Sequence, residues 1–165
     1  MDSRARIEIR PTARVLVIDG EDRVLLFRLR RTWGREPREW WMAPGGGCET
    51  GESYEQAARR ELTEETGISV AEPGPCVWTR SDRFRGRDGV WREWRERYFF
   101  VRVKGDDIDT SRIEGIEAQL FQEHCWWRLD DINASSDTFE PADLAERLAP
   151  LLKGQFPAQP VRVGD

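Results

Sequence analysis

The sequence predicts an α/β fold in which a mixed β-sheet is covered by helices. Strand-like segments stand before and after one well-capped helix, and a second segment with helical spacing lies near the C-terminus. The chain has 165 residues, and a chain of roughly 150 residues buries about two thirds of its unfolded surface, which is enough for one core. We therefore expect a single domain over residues 1–153 and a loose C-terminal tail over residues 154–165, where turn-forming residues accumulate.

The first predicted elements are two strands joined by a tight turn. Apolar residues dominate segments 12–19 and 23–30, and the residues Gly, Glu and Asp at 20–22 are typical of a hairpin. A third, short strand at 40–42 is followed by a proline and three glycines at 45–47. Because glycine has no Cβ, the backbone there can approach a ligand closely.

A helix with defined ends is expected next. Ser53 is a suitable N-cap, and Gln56 three residues later completes a capping box. The helix should run to Thr66, where Gly67 supplies the C-terminal stop.

Beyond this helix, strand-like patterns dominate. We expect strands at 76–84, 90–103 and 119–129, and a closing helix within 141–153, where leucines recur at helical spacing.

Composition and charge exclude several classes of protein. No apolar run approaches the ~20 residues that a membrane helix needs, and no secretory signal is visible, so we expect a soluble cytoplasmic protein. The net charge of −5 argues against wholesale binding to a nucleic-acid backbone, although it leaves room for a local basic groove. Three widely spaced cysteines favour neither a disulfide framework nor a structural zinc site.

Three glutamates on the expected helix point to a metal site. Glu61, Glu64 and Glu65 fall on the same half of the helix as its apolar residues, and burying them together is costly unless positive charge compensates. Their i, i+3 and i, i+4 spacing lets the carboxylates converge, and an all-oxygen set favours Mg²⁺ or Mn²⁺. The alternative is a solvated acidic helix whose charge is offset by Arg59 and Arg60, which an isolated ExxEE would favour.

The wider pattern decides between these interpretations. Residues 46–68 contain a glycine, five residues, a glutamate, seven residues and then Arg-Glu-apolar-any-Glu-Glu-any-Gly-apolar. The matching positions are Gly46, Glu52, Arg60, Glu61, Leu62, Glu64, Glu65, Gly67 and Ile68. This segment resembles the Nudix box, and the similarity to Nudix (MutT-like) hydrolases extends over roughly residues 10–152. The resemblance implies the Nudix fold, a mixed β-sheet in an α/β/α sandwich.

The resemblance also implies a chemistry. Nudix hydrolases are divalent-metal-dependent and cleave a diphosphate bond in a nucleoside triphosphate or a nucleoside diphosphate derivative, by attack of a metal-activated water at phosphorus. The metal ligands would be Glu61, Glu64 and Glu65, with a Gly45 or Gly46 carbonyl nearby.

The resemblance to Nudix hydrolases also implies other catalytic roles, assigned by position in the box. An ion pair between Arg60 and Glu52 would orient the helix, with Glu52 also available as a base. The general base varies in this family between a box glutamate and one from a later loop. The later candidates are Glu117, Glu114 and Glu123, each of which is individually more typical of a surface carboxylate.

Substrate contacts are expected from aromatic and basic residues outside the box. Trp33, in a polar loop, is the preferred candidate for stacking on a base. At least one of four arginines should contact a substrate phosphate. These arginines are Arg14, Arg28, Arg83 and Arg95. For any single arginine near Arg83 and Arg95, the competing interpretation is an exposed β-ribbon neutralised by neighbouring acidic residues.

The substrate is expected to be a small-molecule nucleotide, with nucleoside triphosphates as the first class. ADP-ribose or a nucleotide sugar is the second, although the proline typical of ADP-ribose enzymes is absent near Arg83 and Phe84. A dinucleoside polyphosphate or capped RNA is the third. A nucleotide-sensing domain without catalysis is an alternative that the intact box argues against. We expect neither membrane nor nucleic-acid partners, and a homodimer is an open alternative.

Overall fold

The computed structural model describes residues 7–34, 36–86 and 88–164. Within these ranges the chain forms nine strands and four helices. The strands are β1 (Glu8–Ile18), β2 (Val24–Arg31), β3 (Arg38–Met42), β4 (Gly45–Gly47), β5 (Cys76–Arg85), β6 (Trp91–Arg102), β7 (Phe121–Trp127), β8 (Phe139–Glu140) and β9 (Val161–Arg162). The helices are α1 (Tyr54–Thr66), α2 (Gly115–Leu120), α3 (Leu129–Ala134) and α4 (Leu144–Leu152).

All strands belong to one mixed sheet of order β8-β3-β2-β1-β6-β5-β9, with β4 added to β1 and β7 added to β2. β1 runs parallel to β6 along its whole length, from Glu8 opposite Arg92 to Ile18 opposite Arg102. By contrast, β1 pairs with β2 only beside the turn, at Ile18 and Val24. Away from that turn the two strands diverge, and β4 and β7 pair with their separated edges.

The sheet is buried on both faces. Along β1, side chains alternate between two apolar clusters, with Val15 and Val17 in one and Leu16 and Ile18 in the other. The first cluster contains Ala57, Ala58 and Leu62 of α1. The second contains Ile132 of α3 and Leu144, Leu148 and Leu151 of α4. The expected α/β/α sandwich is therefore confirmed.

None of the described helices has the length and apolar character needed to cross a lipid bilayer.

The predicted ends of α1 are confirmed by its capping contacts. The Ser53 hydroxyl accepts a hydrogen bond from the Gln56 amide, and the Gln56 side chain accepts one from the Ser53 amide. At the other end Gly67 adopts a φ of 75°, and its amide donates to the Thr63 carbonyl. This left-handed conformation favours glycine, which explains why the helix stops there.

The second half of the chain differs from expectation in two places. Residues 119–129 contain a strand only at Phe121–Trp127, with the end of α2 before it. The expectation that the chain after residue 153 forms a loose tail is wrong for the described part of that segment. Val161–Arg162 pair with β5, Val163 is 1% exposed, and Phe156 packs edge-to-face on Phe100. Valines on either side of an arginine give a period of two, which outweighs the nearby turn residues.

Candidate active site

A buried carboxylate lies at the C-terminal end of α1. The side chain of Glu65 is 5% exposed, and its Oε2 accepts a hydrogen bond of 2.8 Å from the Gly45 amide. Burial raises the pKa of Glu65 to about 8, and the nearby charge of Glu61 acts in the same direction. The attraction of Arg14 only partly offsets these effects. The folded chain therefore holds a carboxyl group whose negative charge is poorly compensated by its own cations.

Glu61 lies one turn earlier on α1 and packs against the glycine strand β4. A Cβ placed on Gly46 would lie 2.4 Å from Glu61 Oε1, so only glycine admits this carboxylate without displacing it. Burial raises the pKa of Glu61, although the hydrogen bond from Arg60 opposes the shift. The box glycine and the box glutamate thus fit each other directly.

Arg60 joins the box residues to one another. Its Nε and Nη2 donate to the two carboxylate oxygens of Glu52 at 2.8 and 2.9 Å, which is the expected ion pair. The same guanidinium donates to Glu61 at 2.9 Å, to Glu64 at 3.2 Å and to the Gly47 carbonyl at 3.0 Å. These bonds lower the pKa of Glu52. One side chain therefore fixes both the loop before α1 and two glutamates on it.

The expectation that all three helix glutamates share the buried face is wrong for Glu64. Its side chain is 50% exposed, because α1 turns its small and apolar residues towards the sheet and leaves position 64 at the rim. In the described ranges, no three acidic, histidine or cysteine side chains form a ready-made metal cluster. The structure brings Glu61 and Glu65 together and holds Glu64 beside them through Arg60.

Behind Glu65 lies an ion-pair network that sequence reasoning missed. Arg14 donates to Glu96 at 3.0 Å and to the Gly45 carbonyl at 3.2 Å. Glu96 also accepts from Arg80 and from the Tyr98 hydroxyl, each at 3.1 Å. Burial raises the pKa of Glu96, but the two guanidiniums outweigh it and the net shift is downward. The alternation of Glu96 with the buried Tyr98 could have identified this carboxylate as inward-facing.

A small cavity of about 20 Å³ opens beside Glu65, between the diverging β1 and β2. Its polar walls include Arg14 and Glu117, and its apolar walls include Phe27, Met42, Ile113 and Phe121. The charge of Glu117 contributes to the raised pKa of both Glu61 and Glu65. Of the three later carboxylates considered as bases, Glu117 therefore faces the box glutamates.

The remaining candidates lie elsewhere. Glu114 is exposed at the start of α2, and Glu123 binds Arg28 at 3.2 Å, so that Arg28 is held between Glu123 and Glu39. Arg83 and Arg95 both donate to the buried Glu93, at 2.6 and 2.7 Å. Trp33 is 37% exposed in the loop between β2 and β3 and does not line the cavity.

The donor set of this site fits a hard divalent cation. Carboxylate and carbonyl oxygens are the ligands that Mg²⁺ and Mn²⁺ prefer. The charge of Glu61 raises the pKa of Glu65, and a bound dication would relieve this repulsion. The glycines of β4 leave room for close approach on the side of Glu61.

Comparisons with known proteins agree with this geometry. Residues 8–152 match the family model of the NUDIX domain. The RNA pyrophosphohydrolase of Caulobacter vibrioides is 34% identical over 136 residues, which cover 74% of this chain and 73% of that protein. The nucleoside triphosphatase NudI of Escherichia coli is 29% identical over 119 residues, covering 70% of this chain and 80% of NudI.

Solved structures show the same fold at lower identity. The MutT protein from Methanosarcina mazei superimposes with a TM-score of 0.65 at 21% identity, covering 90% of this chain and 96% of that one. The NUDIX domain of Shewanella oneidensis NrtR, solved with ADP ribose, gives a TM-score of 0.62 at 21% identity, with 92% and 94% coverage. The match to the family model spans most of the chain, and the chain therefore belongs to the Nudix hydrolase family as a pyrophosphohydrolase.

Proposed function

We propose that this enzyme hydrolyses a phosphoric anhydride bond of nucleoside 5′-triphosphates in a reaction that depends on Mg²⁺ or Mn²⁺. The observation that carries the proposal is the pair formed by the half-buried Glu61 and the buried Glu65, packed against Gly46 and Gly45. The relatives named RNA pyrophosphohydrolase and nucleoside triphosphatase support a nucleotide carrying phosphoric anhydrides. We favour the small-molecule nucleotide, because the net charge of −5 disfavours a long polyanion.

In this proposal Glu61, Glu64 and Glu65 hold the cation, together with a glycine carbonyl of β4. When bound, the cation supplies neutralisation of phosphate oxygens and lowers the pKa of water. The protein holds these three glutamates in position. Arg60 holds Glu61 and Glu64 in place, and the Gly45 amide fixes Glu65 Oε2.

Two further residues act from the cavity walls. Glu117, which faces the box glutamates, accepts the proton of the attacking water. Arg14 presents a guanidinium to the same cavity, although two of its donors already serve Glu96 and Gly45. We therefore assign Arg14 a positioning role, and we assign Arg28, Arg83 and Arg95 no contact with the reacting phosphates.

A substrate screen tests this function. Nucleoside triphosphates, ADP-ribose, nucleotide sugars and diadenosine polyphosphates are incubated with Mg²⁺ or Mn²⁺, and products are resolved by mass. We expect metal-dependent release of a monophosphate that falls at least about 100-fold in Glu65→Gln and in Glu64→Gln. Glu55→Gln is the matched control, because Glu55 is exposed on the same helix and should leave turnover unchanged.

The same screen separates the alternatives. Turnover of ADP-ribose with nucleoside triphosphates untouched would replace the proposed substrate class by nucleotide sugars. Tight binding of a nucleotide without turnover, in protein that retains its melting temperature, would overturn catalysis in favour of a sensor.

In Glu117→Gln, a loss of turnover with unchanged binding of Mn²⁺ would support the base assignment, whereas full activity would refute it.

A further inference from the structure

A second, larger cavity lies beside the N-terminal half of α1. Its volume is about 370 Å³, which falls in the range of small-molecule binding sites. We call it the arginine groove. The residues that matter for its chemistry are Tyr54, Thr79, Ser81, Arg95, Arg97 and Arg162. The cavity beside Glu65, at about 20 Å³, has room for little more than one water molecule. Most of any nucleotide must therefore lie outside that smaller cavity.

The groove carries an excess of positive charge. Its two acidic residues, Glu93 and Glu96, are both buried and each accepts bonds from two arginines. Arg97 is exposed and makes no ion pair with any carboxylate of the described ranges; its guanidinium instead lies 4.3 Å from the centre of the Tyr54 ring. A guanidinium held against a ring keeps its donors available to a ligand. Anions are therefore the complementary ligands.

The register of the sheet connects the groove to the box glutamates. Residues that pair across neighbouring strands point their side chains to the same face. One such row runs from Arg162 through Thr79, Arg97 and Ala13 to Gly46. Because strands lie about 4.8 Å apart, Arg97 is about 10 Å from Gly46, where the Glu61 carboxylate packs. The groove and the box glutamates thus share one face of the sheet.

We propose that the arginine groove binds a phosphate-bearing part of the substrate that lies remote from the cleaved bond. This inference rests on the proposed function and names a second contact region for the same substrate. Arg97 supplies the uncommitted guanidinium, and the hydroxyls of Thr79 and Ser81 offer further hydrogen bonds to phosphate oxygens. Either an extended 5′-polyphosphate chain or the next phosphodiester of an oligonucleotide presents this chemistry.

The test measures binding without turnover, so that it does not depend on the proposed reaction. Tripolyphosphate is titrated by calorimetry into the full chain in the presence of EDTA. We expect Arg97→Ala to weaken binding about tenfold and Arg97→Lys to weaken it less. Arg102→Ala is the matched control, because Arg102 lies on the same strand, is exposed and also packs on an aromatic ring, that of Phe100, but stands outside the groove.

Two longer ligands identify the source of the phosphate. A tighter complex with adenosine 5′-tetraphosphate than with the triphosphate, lost in Arg97→Ala, supports a polyphosphate chain. A tighter complex with a 5′-triphosphorylated dinucleotide, lost in the same variant, supports a phosphodiester. If Arg97→Ala binds tripolyphosphate and both longer ligands as tightly as Arg102→Ala does, the groove is not a phosphate site. Loss of turnover with these binding differences intact would overturn only the proposed function.

Discussion

Arg14 and the buried Glu96 form an ion pair of 3.0 Å that lies two hydrogen bonds away from Glu65. The Arg14 guanidinium donates to the Gly45 carbonyl at 3.2 Å, and the amide of the same glycine donates to Glu65 at 2.8 Å. Arg14 and Gly45 are also opposite each other on β1 and β4. The position of Glu65 therefore depends on a carboxylate from another strand that does not itself line the cavity.

We expect Glu96→Gln to lower kcat by about 10- to 100-fold with a smaller change in KM, because an unpaired Arg14 releases Gly45 and Glu65. It should also destabilise the fold by about 3 kcal/mol, since it leaves the largely buried guanidinium of Arg14 without its counter-charge. Steady-state kinetics and urea unfolding measure the two effects. Asp19→Asn is the control, because Asp19 is a buried partner of Arg23 remote from Gly45. Equal activity losses in both variants would refute a positioning role for Glu96.

Gly46→Ala should fold but lose metal affinity. The new methyl would meet the Glu61 carboxylate, a flexible group that can move away at little cost to stability. Gly47→Ala is a matched control, since its Cβ would come no closer than 4.0 Å to the Pro11 carbonyl. We expect the apparent Kd for Mn²⁺ to rise at least about tenfold in Gly46→Ala and to stay unchanged in Gly47→Ala. Unchanged Mn²⁺ binding in both would show that Glu61 is not a ligand.

Glu52→Gln should destabilise the fold by about 1 to 3 kcal/mol, because it weakens a largely buried pair of charge-assisted bonds with Arg60. The pKa of Glu52 is lowered by Arg60, so this stabilisation is present above the pKa of the unfolded chain and is lost as pH falls through the folded value. Urea unfolding at pH 7 and below pH 4 measures it. Glu49→Gln is the control, since Glu49 is 72% exposed and 3.9 Å from Arg60. Equal effects at pH 7 would contradict this account.

The features that could be predicted from sequence are those determined locally. Both ends of α1 depend on residues within one turn, so Ser53, Gln56 and Gly67 were sufficient to place it. The pair between Arg60 and Glu52 was expected from the resemblance to the Nudix box, in which seven residues separate the two positions. Expectations that depend on residues close together in sequence therefore agree with the structure.

What the sequence could not predict depends on contacts distant in the chain. Glu96 meets Arg14 only because β6 runs parallel to β1, and no local pattern specifies that pairing. The rim position of Glu64 follows from the rotation of α1 on the sheet, which helical spacing alone defines too coarsely. Val163 is buried because β9 finds an edge of β5 to pair with. Each case depends on how elements distant in the chain pack or pair with one another.

The raised pKa of Glu65 makes stability depend on pH when no divalent cation is bound. Burial, aided by Glu61, raises this pKa from 4.5 to about 8, so the folded chain holds the proton more tightly than the unfolded chain does. The resulting stabilisation is fully present below pH 4.5 and is lost as pH rises through about 8. The shift corresponds to at most about 5 kcal/mol. In EDTA, we therefore expect Glu65→Gln to melt at a higher temperature than wild type at pH 9, with the difference shrinking towards pH 5.

A divalent cation should stabilise the fold most at high pH, where the stabilisation by the Glu65 proton is lost. Because only the ionised carboxylate binds metal, Mg²⁺ or Mn²⁺ should raise the melting temperature of the wild type more at pH 8.5 than at pH 5.5. Glu65→Gln should lose most of this increase, whereas Glu55→Gln should keep it, since Glu55 is exposed away from the site. A melting temperature of Glu65→Gln that responds to Mn²⁺ as the wild type does would remove Glu65 from the metal site. It would leave Glu61 and Glu64 as the carboxylates to test next.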